Sequence, residues 1–172
     1  MNILIGNIIS LIAAVFLAVS CTVKTRNKVF IMQFMNCALL AVASYFFGSY
    51  AAITTLVLCC IRNIFILKDK FTKPVMGVII TLVLIFGFMA NNRGIVGLMP
   101  VFATVEYTLC CHFIRDVKKT RISVLFNESI WLIYSFLVRD YSTAMTDIAV
   151  ITVDIFAIIK ARCGKTSKTS EH

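Results

Sequence analysis

The segment FFGSYAAITTLVLCCIRNIFILK, residues 46–68, decides the fold of this protein. It turns at Gly48-Ser49-Tyr50, continues through an apolar stretch from 51 to 67, and ends on Lys68. A helix of this length, rising about 1.5 Å per residue, approaches the roughly 30 Å thickness of a hydrocarbon core. The segment therefore predicts a membrane-spanning helix that begins at a tight turn.

The rest of the 172-residue chain repeats this pattern. Its hydrophobic content is 60% and its mean hydropathy is +0.93, against roughly 45–50% apolar residues in a soluble domain. Lipid offers the backbone no hydrogen-bond partner, so the spans must be helices. The sequence predicts an all-α integral membrane protein with seven transmembrane helices, at residues 3–20, 29–47, 51–67, 74–90, 95–113, 122–138 and 142–160.

The basic residues alternate between the links. Of the 17 Lys and Arg, fourteen lie in the first, third and fifth links or after the last span, and two lie in the other links. The positive-inside rule then predicts an external N-terminus and a cytoplasmic C-terminus. Since the surplus of +9 lies between apolar runs rather than on one face, it indicates a lipid bilayer and no nucleic acid as partner.

An internal repeat divides the spans into two sets of three. At an offset of 91 residues, Asn36 matches Asn127 and Tyr50 matches Tyr141. An odd fourth helix makes both units run in the same direction across the membrane, an arrangement that puts a substrate site between them near the midplane. The predicted units are a first repeat at 1–70, a linker helix at 71–91, a second repeat at 92–162, and a cytoplasmic tail at 163–172.

Three segments carry a resemblance to a known family. Residues 46–68, GLMPVFATVEYTLCC at 97–111 and IWLIYSF at 130–136 resemble the YgjV family of bacterial inner-membrane proteins. The resemblance implies an inner-membrane location and a relationship to the SWEET, PQ-loop and PnuC transporters, which share the three-plus-one-plus-three fold.

The same resemblance implies roles for particular residues. SWEET-like proteins tend to place an asparagine on the third helix of each repeat, facing the substrate; here Asp154 takes that position in the seventh helix. Asn63 and Cys59 are the candidates in the first half, and they stay open alternatives. Trp131 matches an aromatic residue that stacks on the substrate. SWEET-type prolines act as hinges, a role left here to Pro100.

Five ionisable residues lie inside predicted spans. Each costs about 2.5–3.5 kcal/mol at a helix centre, so all should face inward. Arg62 needs a carboxylate or carbonyl partner, and Asp154 is the best placed by depth, with Glu106 and Glu128 as alternatives. Asp147 lies on the other side of the midplane, and without a cation at its depth it is the expected proton carrier.

The remaining candidates are uncharged. Trp131 and Tyr134 are three residues apart and share a helix face, while the asparagines either line a route or join helices. The seven cysteines lack metal-ligand spacing, so neither a metal nor a cofactor is expected. The predicted substrate-binding residues are Asn36, Cys59, Asn63, Asn127, Trp131, Tyr134 and Asp154.

These features favour a carrier of an unidentified small molecule by alternating access, with proton linkage as an option. The alternative is a receptor or scaffold on the same fold, as in the KDEL receptors, which resemble this topology and bind a peptide without carrying it across. A membrane enzyme ranks last, because no nucleophile or metal-ligand spacing accompanies Glu106, Glu128 and His112. Each reading is compatible with a homo-oligomer.

Overall fold

The computed structural model contains seven helices, as the sequence predicts. It describes residues 2–23, 25–114 and 117–169, with only the backbone for some of them, Asp154 included. Every regular element within these ranges is a helix. The helices are α1 (Asn2–Thr22), α2 (Arg26–Phe46), α3 (Tyr50–Leu67), α4 (Lys73–Met89), α5 (Ile95–Phe113), α6 (Val117–Val138) and α7 (Tyr141–Thr169).

Length and hydropathy suit these helices to a membrane. Two apolar helical segments are shorter than 18 residues, Lys73–Met89 and Ile122–Val138. The segment α7 continues through most of the predicted tail to Thr169. Within the described residues, four helices are long and apolar enough to span a bilayer: Ile3–Ser20, Asn27–Phe46, Tyr50–Leu67 and Ile95–Phe113.

Six helices form a closed ring. Going round it, α1 packs on α2, α2 on α3, α3 on α5, α5 on α6, α6 on α7, and α7 on α1. Helix α4 lies outside the ring against α3 and α5, where Val83 packs with Leu58 and Val101. A β-carbon at Gly87 would meet Val101 at 2.5 Å, so a glycine here allows the close approach of α4 to α5. The ring thus consists of one three-helix unit facing another.

The two units repeat each other in backbone detail. Shifted by 91 residues, the starts of α2 and α3 coincide with those of α6 and α7. Both connecting turns pass through a positive φ, 64° at Gly48 and 66° at Arg139. The Ser49 amide donates to the Ser44 carbonyl at 3.0 Å, and Asp140 repeats this bond to Ser135 at 2.9 Å. The weak sequence repeat is therefore also a structural repeat.

The seven helices give the bundle two distinct ends. We call the end with the N-terminus and the links after α2, α4 and α6 the turn end. The opposite end, with the links after α1, α3 and α5, we call the basic end because its links hold most of the Lys and Arg residues. Large apolar side chains such as Phe86, Phe102 and Phe136 are exposed on the outside, where lipid would cover them.

The positive φ at the two turns predicts opposite effects of substitution. Gly48→Ala should lower the unfolding temperature, since a left-handed conformation costs an L-residue about 1–2 kcal/mol. Arg139→Gly should raise it by relieving that cost. Gly77→Ala is the control, because nothing lies within 4 Å of its β-carbon position.

Thermal unfolding of the purified protein in detergent measures all three variants. A Gly48→Ala protein as stable as the Gly77→Ala protein would contradict the assignment of strain to this turn.

Candidate functional site

A cavity of about 860 Å³ occupies the centre of the ring. All six ring helices contribute to its lining. The lining includes Val23 and Val29 beside the first link, Asp69 and Phe71 in the third, and Ile114 after α5. Since these residues all belong to the basic end, the cavity extends to that end of the bundle.

The turn end is closed by contacts between links. The Arg93 guanidinium donates to the carbonyl oxygens of Phe47 and Gly48, and the Asn92 amide donates to the latter at 2.8 Å. The Tyr134 hydroxyl donates to Ser49 Oγ. These bonds tie the α2–α3 link to the α4–α5 link and to α6, so they join the two units and the linker.

A second set of contacts closes the turn end between α1 and α7. Asp140 Oδ2 accepts from Ser10 Oγ at 2.8 Å and from Thr143 Oγ1 at 2.7 Å, and Oδ1 accepts from the Thr143 amide at 3.1 Å. Asp140 thus caps the first turn of α7. Burial raises the pKa of its carboxyl, an effect that the bonds from Thr143 and Ser10 partly oppose. Sequence reasoning placed Asp140 in a link and missed this role.

Arg62 projects from α3 into the cavity lining, only 2% exposed. Its Nε and Nη2 donate to Asn63 Oδ1 at 3.4 and 3.2 Å, and its Nη1 donates to Thr108 Oγ1 at 3.2 Å. The guanidinium carbon lies 4.9 Å from the centre of the Tyr107 ring. The expected carbonyl partner is therefore the amide of the neighbouring residue.

The predicted carboxylate partners of Arg62 are not found among the described side chains. Glu106 Oε1 accepts instead from Ser123 Oγ at 2.8 Å and from the Cys110 thiol at 3.1 Å. The Asp154 side chain lies outside the described residues. Asp154, the partner favoured by depth, therefore stays a prediction, while Glu106 bonds elsewhere.

Glu128 and Asp147 form a carboxyl pair between α6 and α7. Their side chains lie within hydrogen-bonding reach of each other, and both line the cavity. Asp147 is 1% exposed, and its Oδ2 has no hydrogen-bond donor among the described residues. Sequence reasoning put the two on opposite sides of the midplane and did not bring them together, because the approach of two side chains depends on how their helices pack.

The other predicted residues separate into two groups. Asn36, Cys59, Asn127 and Trp131 line the cavity. Asn63 and Tyr134 do not: Asn63 is fully buried beside Arg62, and Tyr134 packs edge-to-face on Trp131, 5.6 Å between ring centres, at the closed end. Between Asn63 and Cys59, the structure thus favours Cys59 as the residue that faces the site.

Pro100, the predicted hinge, is buried inside an unbroken α5. Its ring removes one backbone donor from that helix, while the hinge itself stays a prediction. The lining residues that were missed include Gln33 and Tyr107, whose side chains are joined by a 3.1 Å bond from Nε2 to the phenol oxygen. The signal that could have identified them was a polar side chain inside an apolar span. The prediction ranked charged side chains first and so omitted the Gln33 amide and the Tyr107 phenol.

Comparison with known proteins places the chain by sequence. No curated protein and no solved structure matches it. The sequence model of the YgjV family, described as bacterial inner membrane protein, matches residues 4–165 and so covers nearly the whole chain. The seven-helix bundle with its apolar exterior agrees with that description. The chain belongs to the YgjV family of bacterial inner membrane proteins.

Proposed function

We propose that this protein carries a small solute across the inner membrane by alternating access, with the solute bound between the two three-helix units. The observation that carries the proposal is the central cavity, which reaches the basic end, while hydrogen bonds join the two units at the turn end. Its volume of about 860 Å³ falls within the roughly 300–1,000 Å³ of small-molecule sites. Under the positive-inside rule, this state faces the cytoplasm and the N-terminus is external.

The way the turn end is closed supports alternation. Its polar bonds end on the α2–α3 link: Arg93 of the α4–α5 link donates to Gly48, and Tyr134 of α6 donates to Ser49. Beneath them Leu56, Tyr134 and Val138 form a small apolar cluster across the two units. Rocking one unit against the other would break these contacts without unfolding a helix, as parallel-repeat carriers require. The relationship to SWEET-type transporters implied by the sequence fits the same mechanism.

The carboxyl pair supports proton linkage. Two carboxylates offer only acceptors, so a hydrogen bond between Glu128 and Asp147 requires a proton on one of them. Because the pair faces the cavity, a conformational change that separates the two groups would let that proton exchange with solvent. The sequence predicted Asp147 alone as the proton carrier. We extend that role to the pair of Glu128 and Asp147.

Thiol labelling tests which end is open. In single-cysteine variants, an impermeant maleimide should modify Cys59, which lines the cavity, much faster from the basic side than from the turn side. Cys60 is the matched control, because the next residue on α3 turns away and its thiol donates to the Phe34 carbonyl. Vesicles of opposite orientation give the two sides.

Equal labelling of Cys59 from both sides, or at the rate of Cys60, would contradict an inward-open cavity. Cys59 labelling that no solute alters would favour the receptor or scaffold.

Transport with purified protein tests the carrier and its proton linkage. Thermal-shift screening against sugars, vitamins, nucleosides and amino acids identifies a solute, because ligands of the folded state stabilise it. In proteoliposomes, Glu128→Gln and Asp147→Asn should abolish the pH dependence of its uptake. Glu106→Gln should keep it, since that glutamate is bonded to Ser123 and does not line the cavity.

Uptake with unchanged pH dependence in both pair variants would remove the proton proposal. Binding without uptake or exchange in the wild type would remove the carrier.

A further inference from the structure

The cavity contains an arginine that pairs with no acid among the described side chains. Among the described residues that line it, Arg62 is the sole Lys or Arg. A guanidinium has five N–H donors, and the bonds to Asn63 and Thr108 use three of them. The other two have no acceptor among the described residues. Both acceptors in use are neutral oxygens, which do not compensate the buried positive charge.

The described acids of the bundle interior are engaged elsewhere. Glu106 accepts from Ser123, and Asp140 accepts from Ser10 and Thr143. Glu128 pairs with Asp147. A positive charge within a span is costly, and it is retained mainly where it pairs or serves a function. Arg62 bonds to none of these acids, and Asp69, the other described acid of the lining, lies in the third link. An anionic ligand would supply a negative partner.

Neighbouring side chains hold the guanidinium in a fixed orientation. Tyr107 stacks on one face, and its hydroxyl accepts from Gln33 Nε2 at 3.1 Å. Thr108 Oγ1 accepts from Arg62 and donates to the Thr104 carbonyl at 2.6 Å, which fixes its lone pairs. An arginine held rigidly in this way suits two-point binding of a planar or tetrahedral oxyanion.

A second polar group at the same place also lacks a partner. Gln33 Oε1 is buried and has no hydrogen-bond donor among the described residues, although Gln33 lines the cavity. Buried acceptors are seldom left without a donor in folded proteins. A hydroxyl or amine on the same ligand would donate to Gln33 Oε1. Gln33 is close to Arg62, because Gln33 bonds to Tyr107 and the Tyr107 ring stacks on Arg62.

We infer that Arg62 binds the oxyanion group, a carboxylate or a phosphate, of a small organic anion in the cavity, and that Gln33 accepts a hydrogen bond from a hydroxyl or amine of that molecule. The inference rests on the proposed function in treating the cavity as the solute site. Exposed lysines at the basic end, Lys28, Lys68, Lys70 and Lys73, make the approach favourable for an anion.

Paired ligands test the charge requirement. Hydroxycarboxylates of two to six carbons are compared with their amides, and sugar phosphates with the free sugars, by thermal shift of the full-length protein in detergent. The anion of a pair should stabilise the protein and its neutral partner should not. The carboxylate and phosphate arms identify which oxyanion binds.

Variants test the assignment to Arg62. Arg62→Gln should weaken anion binding by roughly ten- to hundredfold, the usual effect of losing charged hydrogen bonds. Arg62→Lys keeps the charge but loses the two-point geometry, and should retain part of the affinity. Arg139→Gln makes the same change at an exposed site of the turn end, outside the cavity lining, and should bind normally. In the single-cysteine variant that keeps Cys59 and Arg62, a bound anion should also slow alkylation of Cys59.

The outcomes separate this inference from the proposed function. Anions that bind through Arg62 but do not exchange across proteoliposomes would remove the carrier and keep the site. Exchange of a neutral solute across proteoliposomes, at a rate that Arg62→Lys does not change, would keep the carrier and remove the anion site. The inference is overturned if no anion of the panel stabilises the protein, or if neutral partners or Arg62→Gln bind equally well.

Discussion

Hydrocarbon offers polar groups no partner, and the architecture of this protein depends on that constraint. The chain has polar residues in most spans, and they are buried toward the ring interior: Ser10, Asn36, Thr55, Arg62, Asn127 and Asp147. Helices that each carry a polar face must pack with those faces turned toward one another. Six helices in a ring leave a central space that their side chains do not fill. A cavity with polar groups in its lining therefore follows from the need to turn these groups away from lipid.

One backbone pattern carries two different chemistries. At the offset of 91 residues, Cys37 corresponds to Glu128, Leu56 to Asp147, and Arg62 to Val153. The first unit thus supplies a guanidinium, whereas the second supplies a carboxyl pair and Trp131. A solute bound as we propose would meet walls of different chemical character. This asymmetry would let a symmetric scaffold bind a molecule in one orientation.

Much of the fold follows from local sequence. The seven apolar stretches coincide with the helices, and the 91-residue repeat coincides with the two units and their matching turns at Gly48 and Arg139. Site residues were harder. Trp131 and Tyr134 share a helix face, yet Trp131 lines the cavity and Tyr134 bonds to Ser49 at the turn end. Tyr134 lies three residues closer to the turn end along α6, and that difference in depth takes it out of the cavity lining.

What the sequence by itself determined is the energy of each helix in lipid: which segments span, and which side chains must turn inward. What only the tertiary structure decided is which inward groups meet. The approach of Glu128 to Asp147, and the bonds of Arg62 to the Asn63 amide and the Thr108 hydroxyl, depend on helix order and axial offset. Hydropathy sums over one helix at a time, whereas a contact depends on the relative placement of two.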